Sequence, residues 1–251
     1  MSANSWQKSM YDSFFAQATL DSESLREKAK TEVAFLYKVL ELPQGSKILD
    51  VACGTGRHSK MLAEAGYEVT GVDISQDCID LAKKNNSVVG VSFELGNMVN
   101  LSTFRNRFDC VVNLFSSFGY FSTDAENEAV LIEMMNALKP GGKLILNTIN
   151  RNWLLSIYKP AFWFKTGSVL TVNAGNYDPE THYNESYMTL KNEETGETTL
   201  SYHRIRLYSA DEMKQLFEKY GLQDIKIYGG FTGEALDSSK SSHPIYMGTK
   251  K

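Results

Sequence analysis

The chain has 251 residues, 42% of them hydrophobic and 22% charged, with a formal net charge of -4. That is the size and balance of one folded α/β domain with a small appendage, and it excludes a disordered or fibrous chain. An acidic balance with no dense Lys/Arg run leaves no electrostatic footprint for gripping a phosphate backbone, so nucleic acid is not an expected partner.

The opening MSANSWQKSM is polar and lacks the apolar core of a secretory signal. No stretch approaches the roughly 18 apolar residues of a membrane span. The expected compartment is the cytoplasm, with no membrane partner. A helix is predicted over 21–41, capped by Asp21 or Ser22, with Leu25, Ala29, Val33, Leu36, Tyr37 and Leu40 at helical spacing and Pro43 and Gly45 ending it. The apolar run 47–52 reads as a strand, followed by a glycine-bearing turn and a helix over 57–66. A strand at 67–73, a helix at 75–85 and a strand at 90–96 come next. They are followed by a strand at 108–115, a helix at 125–138 and a strand at 143–149. Strands alternating with helices imply right-handed crossovers and a parallel sheet. The three cysteines, Cys53, Cys78 and Cys110, form no Cys-x-x-Cys pair and sit in apolar segments, as buried reduced thiols would.

Beyond residue 150 the rhythm changes. Segments 168–173, 181–190 and 197–209 alternate polar and apolar residues between turn-rich separators, and predict three antiparallel strands inserted before the sheet resumes. A helix at 210–220 and strands near 223–229 and 243–250 close the chain. The insertion is too short for a substantial core of its own and is expected to pack over the main domain as a cap.

Two segments carry chemistry. Asp50-Val51-Ala52-Cys53-Gly54-Thr55-Gly56 lies at the carboxyl end of the first strand, where open parallel sheets bind ligands. Gly54 and Gly56 allow close backbone approach, although a lone Gly-x-Gly also suits a plain tight turn. Asp73 ends the second strand, where a carboxylate can accept both hydroxyls of an adenosine ribose. Capping the next helix is the competing role for Asp73, but Ser75 suits that position better. The dinucleotide fingerprint would want a third glycine where Ser59 stands. Asp50 is an acidic residue in an apolar strand. It either orders the glycine loop or faces a ligand's ammonium group through water.

LDVACGTGRHS, GVDIS, the Gly-Asn-Met after the third strand and LKPGG before the fifth resemble, in order and spacing, the class I S-adenosylmethionine-dependent methyltransferases. FSSFGYF, RLYSADEM and the closing YGGFTGEALDSSKSSHPIYMGTKK further resemble a bacterial subgroup akin to aminosugar and peptide N-methyltransferases. The resemblance implies a Rossmann-like, mostly parallel seven-stranded sheet flanked by helices, with the antiparallel insertion as substrate cap. Residues 1–45 would be a helical lid, 46–150 and 209–251 the S-adenosylmethionine-binding core, and 151–208 the cap. Carried over, Asp50, Ala52, Gly54 and Gly56 would surround the methionine part of the cofactor, covered by Tyr11. Asp73 would hold the ribose, Ile74 would lie against the adenine and Asn97 and Met98 at its edge, and Asn113 and Leu114 would border the cofactor beneath the substrate. Ala52 stands where glycine is commonest, and Asn97 where aspartate is usual.

Methyl transfer from a sulfonium is a direct displacement that needs alignment and dryness and no metal. The four histidines, His58, His182, His203 and His243, are scattered, so no metal site is expected. Tyr120 and Ser117 in the aromatic run after the fourth strand are candidate contacts at the acceptor atom, and His203 is a candidate base. Phe118 could serve the pocket or plug the core equally well. Arg204 suits an ordinary salt bridge on a solvated strand face, and Trp153, Phe162, Trp163 and Phe164 are expected to anchor the insertion. A nitrogen or oxygen of a small molecule is the expected acceptor. A peptide or protein acceptor, or a non-catalytic adenosyl-ligand binder, are the alternatives.

Overall fold

The computed structural model describes residues 12–20 and 22–251, so Tyr11 lies outside the described residues. Seven strands form the main sheet: β1 Lys47–Val51, β2 Glu68–Asp73, β3 Val91–Leu95, β4 Phe108–Asn113, β5 Leu138–Asn147, and, after the insertion, β10 Gln223–Tyr228 and β11 Ile245–Thr249. Their order is β10-β11-β5-β4-β1-β2-β3. The five strands from β5 to β3 run parallel, and β11 is antiparallel to both β5 and β10. The chain moves outward one way from β1 to β3 and then the other way from β4 to β5. The carboxyl ends of β1 and β4 therefore flank the switch point, where a crevice opens.

Helices cover both faces because the central strands β1 and β4 are buried on both sides, whereas the edge strand β3 is largely exposed. One face packs α2 (Glu23–Leu40) and α3 (Arg57–Glu64) through Val33, Leu36, Leu40 and Leu62. The other packs α5 (Asp124–Ala137) and α7 (Ala210–Lys219) through Val130, Met134, Met213 and Phe217. α4 (Gln76–Asn85) closes a smaller cluster of Ile79, Ala82, Cys53 and Phe93. Local signals set the helix starts: Ser75 accepts from the Cys78 amide, and Thr123 with Glu126 and Ser209 with Glu212 form complete capping boxes. Ser22 stands at the start of α2 but caps no amide with its side chain. A further helix, α1 (Ser13–Leu20), precedes it.

β5 begins earlier than the apolar pattern implies, at Leu138. Phe108 pairs with Leu138, yet Cys110 pairs with Lys143, so the register breaks across Pro140–Gly142, where proline has no N–H to give the ladder.

The insertion holds four strands where the alternation predicts three. β6 (Ala161–Thr166), β7 (Val169–Tyr177), β8 (Tyr183–Asn192) and β9 (Thr198–Arg206) form an antiparallel meander, preceded by the short α6 (Arg151–Ser156). The anchors of this cap are not the aromatic run. Trp163 is 73% exposed and Phe162 and Phe164 are exposed too, because β6 is an edge strand with no neighbour beyond it. The cap is held instead by Tyr183, whose hydroxyl donates to the Phe121 carbonyl at 2.8 Å, and by Arg206, which pairs with Asp124 at 3.1 Å and Glu212 at 2.9 Å. Arg204 pairs with Glu185 and lies over the Tyr183 ring. Phe118 is buried against Tyr208 as part of the core. All three cysteines are buried and unbridged, and no described helix is long and apolar enough to cross a membrane.

Candidate active site

A cavity of about 830 Å³ runs from the carboxyl ends of β1, β2 and β4 to the inner face of the cap. Three turns build its floor. After β1 the chain enters the left-handed region at Ala52 (φ 60°), Gly54 (φ 56°) and Gly56 (φ 79°). The Ala52 conformation is one that glycine would adopt without strain. A Cβ on Gly56 would lie 2.4 Å from the Phe93 ring, so this glycine serves close packing, and it does not line the cavity. Gly54 and Ala52 do.

Asp73 ties two turns together. Its Oδ2 accepts from the Gly54 amide at 2.8 Å and its Oδ1 from the Ser75 amide at 2.9 Å, while the carboxylate still faces the cavity. Each oxygen has a further lone pair to offer a ligand hydroxyl. Burial raises the Asp73 pKa above the usual carboxylate range. Asp50 is buried as well, accepts from the Ser59 hydroxyl at 2.5 Å and is pushed up to about 6 by desolvation. Ser59 therefore replaces the third dinucleotide glycine with a group that braces Asp50.

The third turn follows β4. Phe115 (φ 59°) and Ser116 (φ 61°) are consecutive non-glycine residues in the left-handed region, a strained elbow of the kind that persists only where its surroundings hold it. Asn147, at the end of β5, does so: its Oδ1 accepts from the Phe115 amide at 3.1 Å and its carbonyl from the Ser116 amide at 3.0 Å. Its Nδ2 donates to the carbonyls of His243 and Pro244. The elbow leaves the Ser116 Oγ buried, on the cavity wall and without a protein partner, whereas Ser117 Oγ donates to the Leu114 carbonyl.

The cavity gathers most of the residues singled out by motif. Asp50, Ala52, Gly54, Asp73, Ile74, Asn97, Met98, Leu114, Ser117, Tyr120 and His203 all line it. Asn113 does not: it is fully buried, and its Nδ2 donates to the Val51 carbonyl at 2.8 Å, bracing β4 against β1. Residues beyond the motifs complete the wall. Arg57 is buried beside the glycine turn, donates to the Leu20 carbonyl at 3.1 Å and lies over the Phe115 ring. His58 meets Glu32 of α2 at 2.5 Å. α1 and α2 contribute Phe15, Leu20 and Lys28. Phe15 packs on the His203 ring, and Asp12 accepts from Thr199 of β9, so α1 joins the core turn to the cap. Burial lowers the His203 pKa to about 4, leaving it neutral at physiological pH.

Residues 48–142 match the family model described as a methyltransferase domain. The chain is 27% identical over 201 residues to a dTDP-3-amino-3,6-dideoxy-alpha-D-glucopyranose N,N-dimethyltransferase of Streptomyces fradiae, covering 77% of this chain and 76% of that one. The chain is an S-adenosylmethionine-dependent methyltransferase. Its fold is shared with an S-adenosylmethionine-dependent methyltransferase from Clostridium acetobutylicum, at a TM-score of 0.78 and 18% identity over 88% of this chain and 92% of that one. CalS10 of Micromonospora echinaspora, an amino pentose methyltransferase seen with its cofactor, aligns at a TM-score of 0.66 and 19% identity over 96% and 98% of the two chains.

The residues of this methyltransferase fit its cofactor. Two buried carboxylates, a buried guanidinium and the apolar side chains of Val72, Ile74 and Met98 converge on one cavity, a donor and acceptor set suited to an amino acid joined to an adenosine. Among the described residues no group of three or more His, Cys, Asp or Glu side chains is placed to hold a metal ion.

Proposed function

We propose that the enzyme methylates a nitrogen or oxygen of a small-molecule acceptor, with the cofactor on the β1–β2–β4 turns and the acceptor beneath the cap. The observation that carries this reading is the continuity of one cavity from Asp73 to His203. Its volume falls within the range of about 300–1,000 Å³ usual for small-molecule sites. In this reading Asp73 binds the ribose, Ile74, Asn97 and Met98 flank the adenine, and Asp50, Ala52 and Gly54 meet the methionine part. Arg57, missed by the motifs, is suited to its carboxylate.

Bound there, S-adenosylmethionine supplies an electrophilic methyl group. The acceptor's lone pair takes the methyl carbon as the carbon–sulfur bond breaks, and that bond's electrons return to sulfur. His203, held neutral by burial, accepts a hydrogen bond from the acceptor's N–H or O–H and directs its lone pair inward. The proton displaced on transfer leaves by way of the imidazole to water, since an imidazolium of such low pKa does not retain it. Tyr120 offers a further hydrogen bond at the acceptor atom, and Phe115 and Phe121 keep water from the methyl path.

Calorimetric titration with S-adenosylhomocysteine, S-adenosylmethionine and NAD tests the cofactor half. Binding of the adenosyl ligands alone, lost in Asp73→Ala, is the expected outcome; binding of NAD would overturn it. Methyl transfer to amines or alcohols that falls in His203→Ala tests the acceptor half.

A further inference from the structure

The cap has two faces of different character. In-register pairing aligns Phe164, Thr171 and Leu190 across β6, β7 and β8. Alternation puts Thr166, Val169, Met188 and His203 on the same side. These seven residues are the cap's contribution to the cavity wall. The opposite side carries the row Trp163–Val172–Thr189–Leu200.

The cavity side of the cap is therefore built from aliphatic, aromatic and hydroxyl groups, and no Lys, Arg, Asp or Glu of the cap lies on the cavity wall among the described residues. Several of the cap's cations are paired away from the cavity. Arg204 pairs with Glu185, Arg206 with Asp124 and Glu212, and Lys165 with Glu193. The cations that do line the cavity belong to the core and to the N-terminal helices: Arg57 beside the glycine turn and the exposed Lys28 on α2. A phosphate or carboxylate seated under the cap would lose its hydration with no cap cation to meet it. An apolar body there is instead favoured by leaving water.

Resting on the proposed function, we infer that the acceptor is an uncharged molecule with an apolar, ring-sized body that packs on Phe164, Val169, Met188 and Leu190, presenting a neutral amine or hydroxyl to His203. This class differs from nucleotide-linked sugars, whose diphosphate would need the cations that the cap directs away.

The test uses the full chain saturated with S-adenosylhomocysteine, which fills the cofactor end. Calorimetry compares a neutral probe, 1-aminonaphthalene, with the anion 1-naphthyl phosphate, which carries the same ring, and with dTDP. The neutral probe is expected to bind at least tenfold more tightly than either anion. Met188→Glu and Val169→Glu should each weaken it tenfold or more, with S-adenosylhomocysteine affinity kept as the sign of an intact fold. Leu200→Ser, on the far face, should change nothing. Equal or tighter binding of an anion, no binding of the neutral probe, or indifference to both Glu variants would overturn the inference. Failure of S-adenosylhomocysteine itself to bind would instead overturn the proposed function on which it rests.

Discussion

Asp50 sits fully desolvated on the cavity wall with its pKa raised to about 6. Its ordinary value is near 3.8, so the fold favours the protonated form more than the unfolded chain does. The stability this preference brings is complete below pH 4 and is lost as pH rises through 6. Ligand binding runs the other way, because an ammonium group is attracted only by the carboxylate. S-adenosylhomocysteine affinity is thus expected to rise between pH 5 and 7, and Asp50→Asn should flatten that slope in pH-dependent calorimetry. His203 behaves oppositely: with a depressed pKa, its contribution to stability is present above 6.5 and fades as pH falls through about 4. Asn147 is a residue whose importance only the three-dimensional arrangement reveals. It stands 31 positions after Ser116, on the strand beside β4, and replacing it by alanine would strand the Phe115 amide and two carbonyls. Asn147→Ala should cost about 1–3 kcal/mol in denaturant unfolding, with faster exchange of the Phe115 amide. Gly56→Ala should be worse than Gly54→Ala. The first must displace Phe93 as well as adopt a positive φ, whereas a Cβ on Gly54 meets Leu20 at an ordinary 3.4 Å. Comparative melting of the two variants checks this.

At the scale of elements, the alternating strands and helices between 47 and 147 were legible because the central strands β1 and β4 are short apolar runs bounded by Gly, Asp or Asn turns, and burial on both faces demands that pattern. β6 was not legible. Its six residues are all exposed, so the aromatic run AFWFKT imitates a core anchor while lying at a sheet edge. α1 was legible only as part of the helical lid over 1–45: it ends at Leu20, directly before the Asp21-Ser22 pair, whose cap signal marks the start of α2 alone. In the candidate site, Asp50, Gly54 and Asp73 could be read from motif spacing. Asn113 could not be placed, since its amide turns toward the β1 backbone instead of the cavity, a choice made by strand adjacency. The junction between cap and core depends on Glu212. It caps α7, binds Arg206 and Arg151, and is held down to about 2 by those partners against the opposing pull of burial. Its stabilisation is present above pH 4.5 and lost as pH falls toward 2. Glu212→Gln should lower unfolding stability by about 1–3 kcal/mol, and the deficit should shrink in acid.

For the whole molecule, α1 connects three parts that are far apart in sequence: the glycine turn through Leu20, the cap through Asp12 and Phe15, and the cavity between them. A ligand that fills the cavity should tighten all three. Trypsin cleavage after Arg26 and Lys28 is expected to slow when S-adenosylhomocysteine is added, and unchanged cleavage would show that α1 and α2 do not respond to the site. The three buried thiols give the same molecule internal gauges of opening. Only a thiolate reacts with an alkylating reagent, and burial pushes Cys53, Cys78 and Cys110 away from that form, Cys78 to about 12. Cys53 and Cys78 border the cavity, while Cys110 lies within the sheet. Labelling of the first pair then clocks local breathing of the cofactor end, and labelling of Cys110 clocks the rarer rupture of the central strands, so one reagent reads two depths of motion in a single chain.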